Sequence, residues 1–448
     1  MNRGNIKSQF LNVLILFVLL CLAWWGHRCL MAPGPPPPGA VNFFLGFVLL
    51  AAFVCARILQ TTRLPMISGY IFAGVVAGPY VSGFLSIEMV QGLKLVDDLA
   101  LSFIALTAGG ALKLNLLRTR AKSIFLNIAF QTVFVFVAVF GFVVIAGRYY
   151  QLLGFVSSVE VTAMAILLGM VAIARSPSSA IAIISECRAT GPFTDTVLGV
   201  TVAMDVLIII FFTVALTLSR VIVSGSAGFD YQALAGLLGE MSISLIIGTI
   251  LGKAIAVYIR RAGHDLTLFL LFIAFGISKT SIWIGAFMVS RFHIHLNLEP
   301  LLICMCAGFV VQNFSESGGY FMHSLEQVAL PIYVLFFSLA GASLNLEALL
   351  MSWPFALSLV VVRAAGVWGG TWLAGTVSKD PRRYNRNAWM AYLTQAGVAI
   401  GLAQLAQRQF PDIGVFLNTV VLAVISVNQI LGPITFKLAL NRVGEAKG

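Results

Sequence analysis

The chain has 448 residues, is 59% hydrophobic and only 10% charged, and carries a formal net charge of +11 with a mean hydropathy of +0.97. A soluble domain is usually about 45–50% apolar and about 25% charged, so these values exclude a soluble fold and indicate a polytopic membrane protein. The Lys and Arg residues fall in short stretches between apolar segments rather than on one face, which argues against a nucleic-acid partner and for orientation in a lipid bilayer.

About 20 apolar residues cross the hydrocarbon core of a bilayer as a helix. On that rule fourteen spans are predicted, near 9–26, 41–60, 65–84, 93–112, 123–147, 159–186, 195–219, 231–259, 266–290, 297–313, 324–345, 352–377, 386–408 and 413–440. The first is set apart by APGPPPPG at 32–39, a stiff extended linker. Arg3 and Lys7 precede it as in a signal peptide, but no small-x-small cleavage site follows, so a retained extra helix is expected. With a cytoplasmic amino terminus, one set of loops beyond the first span carries thirteen Lys and Arg, from Arg57 and Arg63 to Arg383 and Arg386. The opposite set carries only six (Arg28, Lys94, Arg148, Arg220, Arg291 and Arg408). That asymmetry is the positive-inside rule, and it places both termini in the cytoplasm, with the inner cell membrane as the expected location.

Spans two to seven then begin outside and spans nine to fourteen begin inside. This gives two six-helix halves of opposite orientation, 41–219 and 266–440, joined by a linker helix at 231–259 within a membrane domain at 41–440. The amino-terminal helix and Pro-rich linker occupy 1–40, and a cytoplasmic tail occupies 441–448. The expected fold is an all-α membrane protein of thirteen to fourteen transmembrane helices built as inverted repeats, the plan of many secondary transporters.

Such transporters place their site where helices are interrupted near the midplane. The sixth span is broken by ARSPSSA, where Pro177 removes a backbone donor and Ser176, Ser178 and Ser179 can satisfy the groups set free. Its counterpart in the other half is the thirteenth span, where TQAGVAIG sets Thr394, Gln395 and Gly397 near mid-span. In the seventh span, TVAMDVLIIIFF buries Asp205, about ten residues or 15 Å from the cytoplasmic start. A carboxylate at that depth costs several kcal/mol without a partner, and such residues mark ion or proton pathways. Arg363, in the twelfth span, lies at a similar depth, which makes it a partner for Asp205, either as a structural ion pair or as part of a working site. Lys279 is a further mid-span cation, read as structural or as the sign of a split helix, with Glu240 one possible partner. The six cysteines form no CxxC pair, and His293 and His295 beside Arg291 read as loop histidines. No metal site, cofactor or catalytic residue is expected: no nucleophile–base pair, metal cluster or phosphate loop has suitable spacing, so an enzyme is the least favoured class.

Five stretches occur in a fixed order over residues 41–440: GYIFAGVVAGP at 69–79, ARSPSSAIAI at 174–183, Gly199–Leu207 with MDV at its end, LFFSLAGASLN at 335–345 and LTQAGVAIGLA at 393–403. Together they resemble the monovalent cation/proton antiporter superfamily, of the sodium/hydrogen exchanger type. The resemblance implies two crossed discontinuous helices around a cation site and a separate dimerisation region, hence a homodimer. It implies that Asp205 binds either a proton or a cation, and that Arg363 stands where relatives carry a competing Lys or Arg. Two positions depart from the pattern. Met204 replaces the Asp or Asn often found before the carboxylate, and its thioether is a poor ligand for hard cations. Arg175 stands where Thr is expected at the crossing, and can compensate the charge of Asp205.

The expected function is exchange of Na⁺ or K⁺ for protons by alternating access at one carboxylate. Arg363 and Arg175 are expected to compensate charge, with Ser176, Thr201, Thr394 and Gln395 completing an oxygen shell. A symporter or anion carrier on a related fold is an alternative, since Arg175, Arg363 and Lys279 leave a positive excess. A non-transporting sensor or assembly module, with Arg175 locking Asp205, is another.

Overall fold

The computed structural model describes residues 13–25, 39–60, 64–149, 157–224, 231–261, 265–292, 298–395 and 397–447. The body of the Pro-rich linker, Cys29, His293 and His295 lie outside them. Every regular element among the described residues is helical: α1 (Val13–Trp25), α2 (Ala40–Gln60), α3 (Met66–Ala77), α4 (Ile87–Gly92), α5 (Lys94–Ala111), α6 (Leu114–Tyr149), α7 (Ser158–Val171), α8 (Pro177–Glu186) and α9 (Pro192–Ser224). There follow α10 (Tyr231–Arg261), α11 (Leu266–Phe292), α12 (Pro300–Phe314), α13 (Gly318–Ala342), α14 (Leu346–Ser378), α15 (Arg382–Asn387), a 3-10 turn (Ala388–Ala391), α16 (Gly397–Gln409) and α17 (Pro411–Val443).

Helices dominate because lipid offers no partner for a backbone N–H or C=O, so each spanning segment satisfies its own. Eight of the described helices are long and apolar enough to cross a bilayer. Each of the fourteen predicted spans overlaps a described helix or, in two cases, a helix that stops and restarts, although α3 ends at Ala77, seven residues short of the predicted 84. α14 covers 33 residues but kinks at Ser352. Of the unkinked helices the longest exceed the prediction, α6 with 36 residues and α9 and α17 with 33 each. At 1.5 Å per residue that is about 50 Å, more than the ~30 Å hydrocarbon core, so their ends reach the polar interface. α11 runs unbroken through Lys279, which is exposed, so the helix is not split there.

The chain divides into two compact units. The smaller comprises residues 1–101 and 326–347, and its core gathers Ala23, Phe44, Val48, Phe84, Met89 and Ala342. Here α3 and α13 touch backbone to backbone: a Cβ on Gly74 would lie 2.0 Å from the Ser338 carbonyl oxygen, and one on Gly341 would lie 2.2 Å from that of Ile71. The small residues of GYIFAGVVAGP and LFFSLAGASLN thus serve close helix packing, which replaces the hydrophobic effect as the cohesive force in lipid. The larger unit, 102–325 and 348–448, holds every candidate site residue.

Candidate functional site

The site is built where two helices of the larger unit stop. α7 ends at Val171, with Ile173 and Ala174 closing short turns onto Met170 and Val171. The chain restarts at Ser176, whose hydroxyl accepts from the Ser179 N–H at 3.2 Å and lies 2.9 Å from the Ser179 hydroxyl. Pro177 takes the first helical position of α8, where no N–H is needed and its fixed φ favours the helix. It therefore starts a new helix instead of kinking an old one. The second break spans Tyr392–Gln395, between the 3-10 turn and α16. The two breaks cross, and the Ser176 N–H donates to the Thr394 carbonyl at 3.2 Å.

Each stopped helix leaves carbonyls without an intrahelical partner, and these form its negative pole. Arg363, from α14, answers both. Its Nε donates to the Ala172 carbonyl at 2.7 Å, Nη1 to Leu393 at 2.9 Å, and Nη2 to Ala174 at 3.2 Å and Tyr392 at 3.3 Å. Arg175 donates through Nη1 to the Tyr392 carbonyl at 3.2 Å and lies 4.5 Å over the Tyr392 ring. Its Nε and Nη2 are buried without a hydrogen-bond partner among the described residues. Gln395 donates to the Val171 carbonyl at 3.3 Å and accepts from Asn428 at 2.8 Å. A planar five-donor fork suits converging carbonyls, which accounts for two guanidinium groups being only 1% and 2% exposed here.

Asp205 lies on α9, which packs against α7, α16 and the 3-10 turn. Thr201 sits one turn earlier on the same face and donates back to the Val197 carbonyl at 2.7 Å. The Asp205 Oδ1 is buried and has no hydrogen-bond partner, and Asp205 takes part in no ion pair among the described residues. The pairing with Arg363 expected from equal depth is therefore not formed in this conformation, nor is one with Arg175. Both guanidinium groups face the negative poles of the breaks. Ser176, Thr394 and Gln395 gather at the crossing, while Thr201 keeps to the Asp205 face. Met204 is fully buried, with the Thr132 hydroxyl 3.9 Å from its sulfur.

Sequence reasoning passed over a polar cluster on α6. Arg120 bonds Thr196 at 2.9 Å and Asp380 at 2.6 Å, and Ser123 bonds the other Asp380 oxygen at 2.5 Å. Asn127 and Gln131 continue the row, with Gln131 donating to Asn127 at 2.9 Å. Polar residues at 123, 127 and 131, four apart in an apolar helix, were the available signal. A cavity of about 20 Å³, room for roughly one water, lies among Arg120, Asn127, Thr196, Asp380 and Tyr392. Burial alone would push the Asp380 carboxyl up, but hydrogen bonds from Ser123 and Ser378 and the Arg120 charge outweigh it and hold it below the usual range. A carboxyl lowered in the folded state stabilises above its unfolded pKa, and that stability is lost as pH falls through the folded value. Asp380→Asn is thus expected to lower the melting temperature at about pH 7 and to cost less at an acid pH below the folded carboxyl's own range. Equal losses at both pH values would contradict this.

Interrupted helices that cross around buried charge are the arrangement found in many secondary transporters. A family profile described as "Sodium/hydrogen exchanger, transmembrane" matches residues 47–442, and the chain belongs to that family. It is a multi-pass cation/proton antiporter, a transporter and not an enzyme. Two solved structures of the sodium proton antiporter MjNhaP1 from Methanocaldococcus jannaschii share its fold. One, at pH 8, superposes with a TM-score of 0.65 over 90% of this chain and 99% of its own; the other, an electron-microscopy map, does so at 0.69 over 92% and 100%. Both are 16% identical to this chain, a likeness that speaks for the fold alone. No curated protein matches the chain.

Proposed function

We propose that the protein exchanges Na⁺ or K⁺ for protons, one for one, by alternating access at Asp205. The observation that carries this reading is the buried Asp205 oxygen without a partner, on a helix packed against both stopped helices. An unpaired ionised carboxylate is costly there, so it must take up a proton or a cation before the core crosses the low-dielectric barrier. The two guests compete for one charge, which couples their movement. Thr201 and the crossing oxygens of Ser176, Thr394 and Gln395 are the candidates for completing the cation's shell. With Met204 beside it instead of a second acid, Asp205 supplies a single negative charge, consistent with electroneutral exchange. Arg363 and Arg175 compensate charge, and Arg175 has two unpartnered donors with which to meet an empty Asp205 in another conformation. The protein works as a homodimer in an inner cell membrane, with both termini cytoplasmic.

Proteoliposomes test the reading directly. An imposed outward Na⁺ or K⁺ gradient is expected to drive protons inward, with little dependence on membrane potential. Proton movement in the same direction as the cation, or transport that follows an anion gradient, would replace this function with symport or anion carriage.

A further inference from the structure

The segment after α17 folds back onto the start of α9, the helix that carries Asp205. Gly444 turns the chain with φ of +81°, its N–H reaching the Leu440 carbonyl at 3.0 Å. Glu445, 7% exposed, then places Oε1 on the Phe193 N–H at 2.9 Å. Its Oε2 accepts from the Thr194 N–H at 2.8 Å and from the Thr194 hydroxyl at 2.7 Å. Pro192 has no N–H, so these are the first donors of α9, at the positive end of its dipole. The Glu445 carbonyl accepts from the Thr190 N–H at 3.3 Å, and the Lys447 N–H donates to the Cys187 carbonyl at 2.9 Å. Space is made for this contact at Gly191, with φ of +153°, where a Cβ would lie 2.4 Å from the Glu445 carboxyl carbon. Lys437 on α17 pairs with Glu186, the last residue of α8, at 3.0 Å.

A helix is ordinarily capped by its own neighbouring Ser, Thr, Asp or Asn. Here the cap comes from the far end of the chain, and it ties three elements together at one point. α8 begins at the crossing with Ser176, and α9 carries Asp205 eleven residues beyond Thr194, about 17 Å along its axis. The axial position of Asp205 relative to the crossing is therefore set where α8 ends and α9 begins. That is where Glu445 binds.

We propose that Glu445 is a positioning residue for cation binding: by capping α9 against the end of α8, it fixes the depth at which Asp205 meets the crossing. This rests on the reading of Asp205 given above. The test compares full-length wild type, Glu445→Ala and Glu445→Gln, measuring cation-driven proton flux in proteoliposomes and backbone hydrogen exchange across 190–200. Loss of the cap is expected to raise the apparent KM for the cation about fivefold in Glu445→Ala, with kcat changed less, and to speed exchange at 193–196. Glu445→Gln, which keeps one acceptor, falls between. An unchanged KM with only kcat or protein yield reduced would overturn the proposal, as would unchanged exchange. Absence of cation-coupled flux in the wild type would instead defeat the transport reading. Exchange would then still decide whether Glu445 holds the start of α9, faster rates upholding that cap and unchanged rates overturning it.

Discussion

Asp205→Asn is expected to bring cation-coupled proton flux down to that of protein-free vesicles while leaving the protein as stable as before, or more so. The amide matches the carboxylate in size but neither ionises nor releases a proton, so no exchange can cycle through it. Stability should not suffer, because the substitution removes a charge whose buried oxygen has no hydrogen-bond partner and which takes part in no ion pair among the described residues. Relieving an uncompensated buried charge is neutral or stabilising, since its desolvation cost disappears with it. Flux and a thermal melt in the same detergent-purified sample are the two readouts. A marked fall in melting temperature would assign Asp205 a structural duty instead.

Arg363→Leu is expected to behave in the opposite way, damaging the scaffold first. It strips donors from the carbonyls of Ala172, Ala174 and Leu393 and leaves two negative helix poles facing each other. Each buried acceptor left unsatisfied costs about 1–3 kcal/mol, and breaking a buried charged network costs about 3–5 kcal/mol. The melting temperature should drop well below that of Asp205→Asn. Arg363→Lys should recover only part of it, because one ammonium cannot reach four carbonyls across two breaks. A fully stable Arg363→Leu protein would mean that the breaks hold without their cation.

Much of this architecture was legible in the chain because lipid imposes simple rules. Length and apolarity located the spans, and the Ser176–Pro177 pair marked a helix break. The partners of buried charge were less legible. Depth arithmetic brought Arg363 level with Asp205, but it cannot register backbone carbonyls, which every residue carries and which become acceptors only where a helix stops. Thus Arg363 and Arg175 were matched to a side chain when their partners were main-chain atoms. The link from Glu445 to α9 was invisible for a related reason. It joins positions 251 and 252 residues apart, and nothing local to Phe193 or Thr194 announces a cap supplied from so far away. The α6 row at 123, 127 and 131 was open to a periodicity reading, yet the polar groups are spread thinly through a strongly apolar helix.

The most direct measurement is proton release when Na⁺ or K⁺ is added to purified, unenergised protein in weakly buffered solution. Cation binding at a protonated carboxylate must displace its proton. Competition at Asp205 predicts release that saturates with cation concentration, fades at high pH where the site is already empty of protons, and vanishes in Asp205→Asn. Release that persists undiminished in that variant would place the exchange elsewhere in the molecule.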